Sequence, residues 1–169
     1  GRYAVQMAKH AGATVISTAG SADKCMHIKK LGADYVFNYH TDNIESEVLK
    51  ITDGQGVDRM VDVAFGTNVG TAPKLIKANG MLTAYSSDAF PIPSLPFLEF
   101  MYKNIAIKPF SIFGMPETAK KKAFEDISKM LDKGALEHLI DIEYSFNEMI
   151  TAHQSIESEK LFGCCLVNI

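Results

Sequence analysis

Gly1-Arg2-Tyr3-Ala4-Val5-Gln6-Met7-Ala8-Lys9-His10-Ala11-Gly12-Ala13-Thr14-Val15-Ile16-Ser17-Thr18 is the stretch that decides how the remainder of the chain is read. Ala4, Met7, Ala8 and Ala11 recur at helical spacing and predict an amphipathic helix with a thin, small-residue face. Gly12 ends it, as a glycine just past a helix commonly does. Residues 14–18 are rich in β-branched side chains and predict a strand. A helix with a small-residue face, a short link and a buried strand form the αβ half of a βαβ unit.

In a dinucleotide-binding fingerprint, the last glycine opens such a helix and lets it pack closely on the preceding strand. Gly1 fits that last glycine, so the chain reads as one entered partway through a phosphate-gripping turn, with its first strand upstream. Working outward, strand and helix patterns alternate. Ser21 is a candidate N-cap for a helix carrying Cys25, Ile28 and Leu31, which Gly32 ends. Strands are predicted at 35–39, 57–64, 81–85 and 105–113. Helices are predicted at 42–52, 69–77 and 97–103, with turns at Gly54-Gln55-Gly56 and Asn79-Gly80. This rhythm indicates an α/β fold with a doubly wound parallel sheet.

Beyond a boundary near residues 114–116 the pattern changes. A helix at 117–131, an extended run at 139–144, a helix at 146–158 and an apolar strand at 164–169 no longer alternate in the same way. The expected organisation is therefore a dinucleotide-binding domain over 1–113 and a C-terminal α+β segment over 114–169. If the first strand of the sheet is absent, a slot roughly 9.6 Å wide, two strand spacings, opens at its centre. Strand 164–169, a strand of another copy or upstream residues of a longer polypeptide would fill it, or the sheet would close up.

Composition bounds the function. The 169 residues are 47% hydrophobic and 22% charged with net charge −3, so no broad basic field points to nucleic acid or an anionic membrane. No apolar run approaches the roughly 20 residues that span a bilayer. The three cysteines Cys25, Cys164 and Cys165 have no metal-ligand spacing, and a reducing, cytoplasmic setting is expected. The five histidines, His10, His27, His40, His138 and His153, form no ligand constellation and read as surface or structural, so no metal site is expected. Lys120-Lys121-Lys122 reads as a solvated helix face.

The pattern resembles the medium-chain dehydrogenase/reductase superfamily, and within it the zinc-free quinone oxidoreductase branch. The resemblance runs the whole chain, through Ala-Val-Gln-Met-Ala-Lys (4–9) with Gly12-Ala13 and Lys30-Leu31-Gly32-Ala33-Asp34. It continues in Phe37-Asn38-Tyr39, Gly54-Gln55-Gly56-Val57-Asp58, Val61-Asp62-Val63 and Phe162-Gly163. It implies a Rossmann-type sheet followed by the C-terminal return of a catalytic domain whose N-terminal part lies upstream.

Cofactor choice is read at the end of strand 14–18. A site for NAD places a carboxylate there for the ribose 2′-hydroxyl, whereas a 2′-phosphate needs donors and no negative charge. Ser17-Thr18-Ala19-Gly20-Ser21 offers no acid. Lys24 lies one turn into the next helix, and Tyr39 ends the following strand. The resemblance gives the matching serine, lysine and tyrosine to the 2′-phosphate and so implies NADP(H). Each also has a plain reading, as helix cap, solvated lysine and strand-end aromatic, and Asp23 would suit NAD in a slightly different loop. The ends of the next strands, at Phe65-Gly66 and Ser86, border the expected crevice, and Phe113 is a candidate nicotinamide wall.

The chemistry implied is hydride transfer to a quinone or other activated carbonyl or alkene, the protein orienting the partners and excluding water. A zinc-type alcohol dehydrogenase is the other enzyme reading. A nucleotide-binding or dimerisation module without turnover, pairing through 105–113 as a homodimer, is the reading from another class. Other doubly wound folds such as methyltransferases remain. Catalytic residues and the small-molecule substrate are not legible, and the fragment alone is expected to be inactive.

Overall fold

The computed structural model describes residues 1–158 and 160–169. Helix α1 (Arg2–His10) ends where Gly12 adopts φ +81°, which lets the amides of Gly12 and Ala13 turn back onto the carbonyls of Lys9 and Ala8. Strand β1 (Ile16–Ala19), helix α2 (Ala22–Lys30) and strand β2 (Tyr35–Asn38) follow. The two strands are parallel, with Ile16 opposite Tyr35 and Ala19 opposite Asn38. Val5 and Ala8 of α1 pack with Val15, Ile28, Leu31, Ala33 and Val36, forming one apolar cluster. Asp34 pins its edge: a carboxylate oxygen accepts from the Val15 amide at 2.6 Å and from Lys9 Nζ at 2.8 Å. These hydrogen bonds hold the Asp34 carboxyl below the usual carboxylate range, the Lys9 ammonium being the larger cause.

Helix α3 (Ile44–Ile51), capped by Asn43, leads to strand β3 (Val57–Asp62). Helix α4 (Phe65–Asn68), helix α5 (Ala72–Leu75), strand β4 (Ile76–Ala84), helix α6 (Phe97–Tyr102) and strand β5 (Ala106–Pro109) complete a second sheet. Its order is β3-β4-β5, parallel throughout. A second apolar cluster joins Val69, Ala72, Ile76, Leu82, Phe100 and Ile105.

Three boundaries differ most from the sequence reading. The helix expected at 69–77 is replaced by α4 and α5. Gly70-Thr71 interrupts the pattern, and Pro73 can begin a helix but not continue one. Strand β4 begins already at Ile76, with Asn79-Gly80 absorbed as an irregularity in it, Asn79 taking φ +61°. The Lys103 ammonium donates to the carbonyls of Pro73 and Ile76 at 2.7 and 3.0 Å and secures that junction. The strand expected at 105–113 stops at Pro109, after which Ile112–Gly114 form a 3₁₀ turn.

The last third holds helix α7 (Glu117–Asp132), strand β6 (Ile140–Ser145), helix α8 (Met149–Glu157) and strand β7 (Cys164–Asn168). Strand β7 pairs in parallel with β6, so it does not fill the slot. The C-terminal segment thus repeats a strand–helix–strand unit where a loss of alternation was expected.

The parallel sheet is split at the slot the sequence reading expected. Strands β1 and β3 do not pair with each other, so the sheet has not closed up. Among the described residues each has one unpaired edge, and Val61 and Val63 beside it are 60% and 53% exposed. Helices α3 and α5 lie against each other, with Lys74 and Glu45 3.5 Å apart.

Candidate functional site

Ligands of open parallel sheets bind beyond the carboxyl ends of the strands. Two groups of the sequence-predicted residues gather at such ends. The first is at β1 and β2. Ser21 turns the chain into α2, its hydroxyl accepting from the Lys24 amide at 3.3 Å, so its cap role is realised. Tyr39 folds across Gly20: a Cβ at that glycine would lie 2.9 Å from Tyr39 Cζ and nearer still to the hydroxyl. His40 stands beside it, the two rings 4.5 Å apart. The Lys24 ammonium lies 5.7 Å from the centre of the Phe162 ring, a cation–π approach from the C-terminal segment. Phe162 is in turn held by Asp141, whose carboxylate accepts from the Gly163 amide at 2.8 Å. Asp23 is exposed in the first turn of α2, where a helix N-terminus favours an acid.

The second group is at β3 and β4. The Phe65 amide donates to the Ser86 carbonyl at 3.1 Å and the Gly66 amide to Ser87 Oγ at 2.9 Å. Ser87 Oγ donates to the Phe90 carbonyl at 2.6 Å, and Ser86 Oγ to Asp88 at 2.7 Å. The close approach that Gly66 permits is made by the chain itself: a Cβ there would meet Phe90 Cβ at 2.6 Å and Ser87 Oγ at 2.7 Å. Asp62 closes β3 and is buried. One of its oxygens accepts from the Ala64 amide and from Asn68 Nδ2, both at 3.0 Å. Its other oxygen has no partner among the described residues.

Gly1 stands exposed ahead of α1, its carbonyl accepting from the Val5 amide at 3.2 Å. Phe113 lies in the 3₁₀ turn with 92% of its surface exposed, apart from the strand end at which it was expected. The structure therefore places Ser21 and Tyr39 at one strand end, with the Lys24 ammonium turned toward Phe162, and joins Phe65, Gly66 and Ser86 at another. His40, Asp62 and Phe162 were missed as site residues. An acid ending an apolar strand is a readable signal for Asp62, whereas Phe162 arrives through tertiary contact alone.

Chemically, the first group offers a phenol and an imidazole beside one glycine, followed by a helix N-terminus whose first turn carries the Lys24 ammonium, groups suited to an anionic oxygen ligand. The second offers mostly backbone and hydroxyl groups already engaged with each other.

Comparison with known proteins places this geometry. The zinc-binding dehydrogenase family matches residues 1–133. Rat prostaglandin reductase 1 is 28% identical over 153 residues, covering 87% of this chain and 46% of the rat protein. An NAD-dependent alcohol dehydrogenase structure superposes with TM-score 0.84 at 26% identity, covering 99% of this chain and 47% of its own. A quinone oxidoreductase from Pseudomonas syringae reaches TM-score 0.86 at 21% identity, covering 99% of this chain and 53% of its own, a likeness of fold. The chain spans about half the length of the relatives it matches. The described residues contain no group of three or more His, Cys, Asp or Glu able to hold a metal ion. No described helix is long and apolar enough to cross a membrane. On the family match and the split parallel sheet together, the chain belongs to the zinc-binding dehydrogenase family of the medium-chain dehydrogenase/reductase superfamily.

Proposed function

We infer that this chain is the cofactor-binding portion of a reductase that uses NADP(H) to reduce a quinone or another activated carbonyl or alkene. The observation that carries the cofactor choice is the end of β1, where Tyr39 folds across Gly20, Ser21 and Lys24 follow at the entrance of α2, and no acid ends the strand. Lys24 supplies charge to a ribose 2′-phosphate, Tyr39 a hydroxyl donor, and Ser21 a hydroxyl and the helix entrance. Gly1, Phe65, Gly66, Ser86 and Phe113 are proposed as further cofactor neighbours. The nicotinamide supplies a hydride, and a proton completes reduction of the acceptor. What this chain contributes is orientation of the cofactor, with the substrate wall on the polypeptide beyond it. The name of the rat relative, a reductase, supports the direction of transfer.

In the same reading, residues 1–113 form the cofactor domain and 114–169 return to a catalytic domain. Two copies pair as a cytoplasmic homodimer along 105–113, where the outer edge of β5 is free among the described residues and Tyr102, Ile112 and Phe113 are exposed. A second reading, NAD with an alcohol, has Asp23 and the NAD-dependent alcohol dehydrogenase likeness in its favour.

Fluorescence titration of the 169-residue chain with NADPH and NADH separates the two. NADPH binding about tenfold tighter is the expected result. Equal or inverted affinities overturn the NADP(H) assignment, and binding of neither overturns the cofactor role.

A further inference from the structure

We propose that His40 is a specificity-determining residue of this site, donating from its imidazole to the ribose 2′-phosphate beside Tyr39; the proposal rests on the NADP(H) reading above. Three observations converge on it. Nε2 of His40 lies 3.4 Å from the position a Cβ on Gly20 would occupy, so the imidazole and the Tyr39 hydroxyl flank the same glycine. The two rings pack at 4.5 Å with an interplanar angle of 60°, which fixes each against the other. The His40 amide donates to Asn38 Oδ1 at 3.0 Å and holds the turn that carries the ring.

The neighbouring acid does not compete for the imidazole. Both Asp42 oxygens are engaged, one by the Asn38 amide at 2.8 Å and the other by Thr41 Oγ1 at 2.8 Å. His40 itself is exposed, so a phosphate can reach it without displacing the core. A glycine at position 20 is then required twice over: any side chain there would strike Tyr39 and crowd His40. The imidazole carries an N–H donor that a phosphate oxygen can accept.

The test uses the 169-residue chain and two probes, adenosine 2′,5′-bisphosphate and adenosine 5′-monophosphate, titrated calorimetrically. His40→Ala removes the ring, His40→Phe keeps the packing on Tyr39 without a donor, and His40→Gln keeps a donor. Circular dichroism melts of the three, at an exposed turn, are expected to match the parent. The expected result is a preference for the bisphosphate that falls about tenfold in His40→Ala and His40→Phe and is partly kept in His40→Gln. A parent preference that His40→Phe retains in full assigns the ring a packing role and overturns the proposal, leaving the NADP(H) reading standing. A parent chain that does not distinguish the probes overturns that reading and the proposal with it.

Discussion

The Gln6 side-chain amide and the Glu137 backbone close a two-bond ring: Gln6 Nε2 donates to the Glu137 carbonyl at 3.2 Å, and the Glu137 amide donates to Gln6 Oε1 at 2.6 Å. Gln6 is buried, yet both of its polar atoms are matched, in the manner of a strand ladder made by one side chain. The ring ties α1, at the front of the chain, to the segment that enters β6. Gln6→Leu keeps the size and strands both backbone groups, so a loss of about 1–3 kcal/mol is expected in urea unfolding. Faster amide exchange at residues 135–138 is the local signature. Exchange unchanged there would remove the ring from the account of how the C-terminal unit is held.

The Asp34 carboxylate predicts an acid dependence. Its folded-state pKa lies below the unfolded value, because Lys9 and the Val15 amide bind the charged form. Its contribution is therefore complete above the unfolded pKa near 4 and is lost as pH falls through the folded value. Asp34→Asn is expected to lower the melting temperature at pH 7, with the gap from the parent narrowing below about pH 4. A gap that stays constant down to pH 2 would contradict this assignment.

Gly20 predicts a cofactor phenotype without a change of charge. A Cβ at this position would strike the Tyr39 ring and force it off the strand end. Gly20→Ala is expected to weaken adenosine 2′,5′-bisphosphate binding on the order of tenfold, about 1.4 kcal/mol, with the fold kept. Calorimetry against adenosine 5′-monophosphate reads the effect, and unaltered binding of both would show that Tyr39 is not a ligand.

Leu82 and Ile76 are fully enclosed in the β3–β5 cluster. Leu82→Ala is expected to cost about 2–5 kcal/mol. Because the two apolar clusters are separate, exchange protection near Val15 and Leu31 is expected to fall less than that near Ile76.

How far the sequence reached is seen in particular residues. Gly12, Ser21 and Gly32 mark helix ends by local chemistry, and α1, β1, α2 and β2 follow the reading closely. The slot in the sheet is expected from the Rossmann strand order, but what becomes of it is not, and the structure leaves β1 and β3 unpaired with each other. The region around Pro73 was not, since the apolar spacing of Val69, Ala72 and Ile76 suits one helix while the backbone demands two. Its resolution depends on Lys103, thirty residues away from Pro73 in sequence. Of the proposed site, Ser21, Lys24 and Tyr39 are picked out by position and by the family resemblance. His40 was read as surface, because only the fold brings its ring over Gly20. Phe162 needed the C-terminal unit to be placed against α2.

The divided sheet has a mechanical consequence. The β1–β2 layer and the β3–β5 layer are each built on their own apolar cluster, and among the described residues no strand pairing joins them across the seam. A single extended peptide seated in that seam would zip both borders at once and shelter Val61 and Val63. The relative rigidity of the two layers, and with it the alignment of Tyr39 with Phe65, is then a property conferred by whatever occupies the seam.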